Sequence, residues 1–116
     1  MAEKGTTRYY SDLQEKYVCK LLSSYQQSNS GAGKFRKGDC VNKNASLLIE
    51  CKTVMTPKSS VSIKKEWIDK NKEEKFTQRL SNSCIAFNFE PNGDNYFVIN
   101  EKLMKYLVEK LEEDNS

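Results

Sequence analysis

Gly38-Asp39-Cys40-Val41-Asn42-Lys43-Asn44-Ala45-Ser46-Leu47-Leu48-Ile49-Glu50-Cys51-Lys52-Thr53-Val54 is the stretch that decides the fold. Asp39-Cys40-Val41 reads as a short strand, Asn42-Lys43-Asn44 as a hairpin turn, and Ala45 to Val54 as a longer strand. Side chains alternate along a strand, so Leu48, Glu50 and Lys52 share one face while Leu47, Ile49 and Cys51 share the other. Closing the hairpin brings Asp39 beside Glu50.

Working outward, Ser11 or Asp12 can cap a helix running to about Ser24, with Leu13, Tyr17 and Leu21 on one stripe and Val18, Leu22 and Tyr25 beside it. Glu15 falls between Leu22 and Cys19 on the helical wheel, at the edge of the apolar face, where a carboxylate needs a partner, a metal or a bend toward water. Ser23 to Gly33 reads as a loop rich in Ser, Gln and Gly. Downstream, Thr56-Pro57-Lys58 breaks the strand, Ser60 to Ile63 can form a third, and a charged helix from about Lys64 to Leu80 turns Trp67, Ile68 and Phe76 toward the core. Cys84 to Phe89 and Tyr96 to Ile99 are strands joined by a turn over Glu90 to Asn95. A last amphipathic helix carries Leu103, Leu107 and Leu111, a stripe suited to core packing or to a dimer seam. The order α-β-β-β-α-β-β-α predicts a mixed α/β domain with a central sheet between helices. One domain is expected over 1–116, with 1–10 and 112–116 as flexible ends.

The chain has 116 residues, 19 Lys plus Arg, 16 Asp plus Glu, no His and 4 Cys. Without an imidazole, Ser-His-Asp and Cys-His catalysis and His-bearing zinc sites are excluded. Chemistry here has to use carboxylates, lysine, hydroxyls or an oxygen-bound metal. Cys19, Cys40, Cys51 and Cys84 form no Cys-x-x-Cys pair, and the polar N-terminal stretch lacks an apolar signal core, so buried reduced thiols in a soluble, cytoplasmic protein are expected. No apolar run approaches the roughly 20 residues needed to span a bilayer. Residues 1–80 carry 16 basic and 9 acidic side chains, net +7, and residues 81–116 carry 3 and 7, net −4. The split suits a polyanion-binding face, although a lysine-rich helix is also what a solvated surface looks like.

Two neighbouring carboxylates, Asp39 and Glu50, repel unless a positive charge lies between them. A divalent cation answers that need, since Mg²⁺ takes oxygen ligands and is commonly held by one or two carboxylates with water and phosphate completing its shell. Lys52 beside it would orient an attacking water and stabilise charge developing on phosphorus. Glu-x-Lys spacing alone is weak, because Glu73-Glu74-Lys75 repeats it on what reads as a solvated helix. The buried-strand run before Glu50 and the hairpin upstream set the first instance apart.

At Gly38-Asp39 and Leu48-Ile49-Glu50-Cys51-Lys52, with Glu15 on the first helix and Ser30-Gly31 in the loop, the sequence resembles the PD-(D/E)XK nucleases. Within them it is similar to the small archaeal-type Holliday junction resolvases and their phage-encoded relatives. The resemblance runs from about Ser11 to Phe89 and implies a restriction-endonuclease-like fold. It implies that Asp39, Glu50 and Glu15 hold Mg²⁺, with Mn²⁺ as a substitute, that Lys52 assists the water, and that Ser30 lies by the scissile phosphate. The chain departs from the family at Gly38, where a proline or similar residue often precedes the Asp, and at Trp67, near which a glutamine is often found. The activity implied is structure-specific cutting of branched or duplex DNA by a homodimer, away from membranes, with a virus-encoded protein acting in its host cell included. Lys34, Arg36, Lys37, Lys64 and Lys65 are the expected phosphate contacts.

Plainer readings stand beside these. Asp39 can be a turn-initiating aspartate, Glu50 and Lys52 a polar pair on an edge strand, and Glu15 a surface partner for a lysine on its own helix. A nuclease of the same fold acting on other DNA structures, and a non-catalytic nucleic-acid binding module, are the alternatives at the level of function.

Overall fold

The computed structural model describes residues 6–27 and 39–116. Its elements are α1 (Thr7–Leu21), β1 (Tyr25–Gln26), β2 (Cys40–Asn42), β3 (Leu47–Lys52), α2 (Lys65–Thr77), β4 (Asn82–Phe87), β5 (Tyr96–Val98) and α3 (Glu101–Asp114). The fold is mixed α/β. Among the described residues five strands lie in the order β1-β2-β3-β4-β5, antiparallel throughout except for the parallel pair β3–β4, which the α2 crossover joins.

The element order agrees with the sequence reading, but one of its strands is a different piece of chain. Ser60 to Ile63 forms no strand. β3 is already flanked by β2 and β4, and the chain from Thr53 to Lys64 serves as the connection a parallel crossover requires. The missing strand is instead Tyr25–Gln26, pairing with Val41 and Cys40 at the sheet edge. The hairpin turn spans Lys43 to Ser46, later than expected, because Asn42 closes it by accepting the Ala45 N–H at 2.9 Å and Ser46 adopts a left-handed φ of 52°.

α1 begins before the expected cap, at an N-cap Thr6 whose hydroxyl accepts the Tyr9 N–H, and α3 continues to Asp114, so helix reaches into both segments expected as loose ends. On α1 the buried positions are Gln14, Val18 and Cys19, while Tyr17 and Leu21 face outward. The core under α1 joins Val18 and Cys19 to Cys40, Ile49, Cys84 and Ala86. Burying such a side chain is worth roughly 1.5–3 kcal/mol for a Val or Ile. α2 covers the opposite face with Asn71 and Glu74 buried and Phe76 82% exposed, which reverses the expectation that Phe76 packs inward.

The cysteines also correct the sequence reading. Cys19 and Cys40 form a disulfide between α1 and β2, and Cys51 and Cys84 are free. The helix lays its inner face directly on the strand, with Cα atoms 5.6 Å apart, a proximity that a separation of 21 residues concealed. No helix among the described residues is long and apolar enough to cross a membrane.

Candidate active site

The site forms at the C-terminal end of β3, where β2 and α1 approach it from one side and α2 from the other. β2 and β3 are in register through Cys40↔Ile49, and Asp39, the residue before β2, lies near enough to Glu50 for its charge to raise that carboxyl. The Asp39 N–H donates to the Ile49 carbonyl at 3.0 Å, and its carboxylate accepts the Cys51 N–H at 2.6 Å. Asp39 therefore occupies the place of a ladder acceptor just past the last paired residue of β2.

Glu50 and Lys52 project from the same face, as alternation requires, with Lys52 Nζ 3.9 Å from Glu50 Oε1. That separation is an ion pair and too long for a hydrogen bond. The ammonium also lies 4.9 Å from the centre of the Trp67 ring, so α2 holds it by a cation–π contact. Glu50 Oε2 is buried with no hydrogen-bond partner among the described residues.

Burial dominates the electrostatics. It pushes Glu50 up to about 7, with the charges of Asp39 and Glu74 adding to the rise and Lys52 and Lys70 opposing it. The ion pair to Lys52 is thus too weak to hold Glu50 in the usual carboxylate range. Glu15 also lies at about 7, raised by burial and then by Asp39 and Asp12, against a hydrogen bond from Gln26. Asp39 is raised by burial, against the Cys51 N–H, Lys52 and Lys70. Cys51 has its thiol pushed far up by burial and by the same three carboxylates, which leaves it an inert packing group.

Of the residues singled out in the sequence, the fold gathers Asp39, Glu50 and Lys52, and Glu15 joins them through its charge interaction with Asp39. Lys64, the N-cap residue of α2, lies 5.8 Å from the Trp67 ring, and Lys65 pairs with Asp69 at 2.8 Å on the surface. Ser30, Lys34, Arg36 and Lys37 lie outside the described residues.

Sequence reasoning missed three contributors. Glu74, from the Glu-x-Lys copy taken for solvated surface, is 8% exposed and turns its charge toward Glu50. Gln14 is buried on α1 and donates to the Lys52 carbonyl at 2.8 Å and to Asn95 Oδ1 at 3.1 Å, steadying the end of β3. Its wheel position, between Leu21 and Val18, was the available signal. Asn88 accepts from Thr53 Oγ1 and from the Val54 N–H, each at 3.1 Å, and so ties the exit of β3 to the exit of β4.

The donor set fits a hard divalent cation: all-oxygen, mutually repelling, and including a buried oxygen left without a partner among the described residues. Among the described residues no group of three or more His, Cys, Asp or Glu converges on one metal position. A cation here would take its remaining ligands from water and phosphate. No protein-family model, curated protein or solved structure matches the chain.

Proposed function

We propose that the chain is a Mg²⁺-dependent endodeoxyribonuclease acting on branched DNA, with Holliday junctions as the substrate its sequence pattern favours. The observation that carries this reading is the placement of Asp39 against Glu50, on the strand that also presents Lys52. Carboxylates this crowded and this buried are costly unless a cation is held between them, and an adjacent ammonium is what phosphodiester hydrolysis without histidine needs.

In this reading Asp39 and Glu50 would hold the cation, with Glu15 adding negative charge on the Asp39 side, and the cation would supply charge neutralisation at phosphorus and a more acidic water. Lys52 orients that water and stabilises charge growing on a non-bridging phosphate oxygen. Trp67 and Glu50 limit the swing of the Lys52 side chain, so little ordering remains to be done during reaction. Lys70 adds positive charge on the α2 side. Lys64 and Lys65 stand at the start of α2, where exposed cations and free helix N–H groups both favour phosphate. Paired cuts in a two-fold junction call for two copies of the site, hence a homodimer.

The test is incubation with matched four-way, flap and linear DNA in Mg²⁺, comparing wild type with Asp39→Asn and Lys52→Ala. Paired cuts near the crossover, lost in both variants, support the reading. Cleavage that survives both removes the assignment, and salt-sensitive binding without cutting or metal dependence leaves a binding module.

A further inference from the structure

We propose that α3 and the groove beside it form a two-fold interface between two copies of this chain. α3 is 14 residues long and none of them is buried, although one side of the helix is apolar. Only Leu103 is half-covered, while Met104, Tyr106 and Leu111 stand 53%, 54% and 59% exposed, with Leu107 and Val108 between them. A helix of this length is marginal in water by itself and depends on packing its apolar face. The body of the protein offers that face too little. Between α3 and the sheet lies an open groove of about 570 Å³, its walls including Leu22, Leu47, Phe97 and Ile99 from the body and Leu103 and Leu107 from the helix.

Two features select a second copy as the occupant. Donor and acceptor are adjacent on one protomer, an uncovered apolar ridge beside an apolar groove, so a two-fold axis satisfies both at once. Charge then fixes the direction. Residues 101–107 of α3 carry Lys102 and Lys105 against Glu101, net +1, whereas residues 108–114 carry Glu109, Glu112, Glu113 and Asp114 against Lys110, net −3. Antiparallel α3 helices set the basic half against the acidic half twice, and parallel ones would set the two acidic halves together. With Phe97 included, the exposed apolar side chains supply roughly 600 Å² per copy, most of the about 800 Å² per partner of a standard stable interface.

This surface serves the two-fold assembly that the junction reading asks for. It is measured without DNA or metal, so either can fail alone. Sedimentation velocity on the full chain at about 100 μM, well above the Kd of a stable dimer, should give a species of twice 13.4 kDa. Leu107→Asp with Leu111→Asp should give monomer with an unchanged far-ultraviolet circular dichroism spectrum. Lys102→Glu with Lys105→Glu should weaken self-association by about tenfold or more, as should Glu112→Lys with Glu113→Lys, while mixing the two variants restores dimer. The charge variants lie on the rim and decide the matter even where the apolar pair fails to fold. Monomeric wild type overturns the proposal, including a monomer that binds phosphatidylcholine vesicles through this face. So does a dimer indifferent to both sets of changes.

Discussion

Asp39 straddles Glu50: its N–H is bonded to Ile49, the residue before, and its carboxylate to Cys51, the residue after. A single aspartate thereby ties down the backbone on both sides of the neighbouring carboxylate. Removing its charge should be separable from removing its shape. Asp39→Asn keeps an oxygen for the Cys51 N–H, so its melting temperature should equal or exceed that of wild type, because a buried charge has gone. Mg²⁺ binding by calorimetry and junction cleavage should both be lost, the latter by about 10²-fold or more.

Without metal, stability should fall as pH rises. Glu50 and Glu15 titrate at about 7 in the fold against a reference value of 4.5, so the folded protein binds more protons than the unfolded chain between those limits. The stabilisation is complete below about 4.5 and is lost as pH rises through about 7. Melting temperature in a chelating buffer should therefore be lower at pH 8 than at pH 5. Mg²⁺ should restore more of it at pH 8, and Glu50→Gln should flatten the profile. A profile that rises across this window would contradict the burial of these acids.

Asn88→Leu should destabilise the protein by about 1–3 kcal/mol, the cost of leaving the Val54 N–H and the Thr53 hydroxyl without their buried partner. Urea unfolding measures it. A change below about 0.5 kcal/mol, ordinary for a surface site, would mean that the exits of β3 and β4 are not held together in this way.

Alkylation of the unreduced, denatured protein should modify two thiols, Cys51 and Cys84, and four after reduction. Because the Cys19–Cys40 link closes a loop of about 20 residues, reduction should cost about 3 kcal/mol by chain-entropy reasoning and lower the melting temperature accordingly. Four reactive thiols before reduction would contradict the bond.

The hairpin, the shared face of Glu50 and Lys52 and the strands β4 and β5 were legible because each follows from period-two alternation and turn chemistry within a few residues. The edge strand Tyr25–Gln26 was not, since two residues carry no period and their pairing partners Val41 and Cys40 lie sixteen and fourteen positions on. Phe76 and Glu74 changed places between inside and outside, since α2 sets Glu74 against the sheet near Glu50 and turns Phe76 to solvent. No single-helix wheel contains the facing strand. Gln14 and Asn88 act through hydrogen bonds to main chain far away in sequence, which local patterns do not record.

The turn Lys43 to Ser46 contains none of the chemistry, yet it keeps count for the site. Register closes at Asn42↔Leu47, and from that pair the two strands number off their residues together as far as Cys40↔Ile49, the pair that adjoins both acids. If β3 slipped by one position it would present its opposite face, so Leu47, Ile49 and Cys51 would replace Leu48, Glu50 and Lys52. Side chains in the turn are free to vary in kind as long as Asn42 and Ser46 keep its shape. Their number is not, and the eleven-residue interval from Asp39 to Glu50 is a property the site inherits from a loop it never touches.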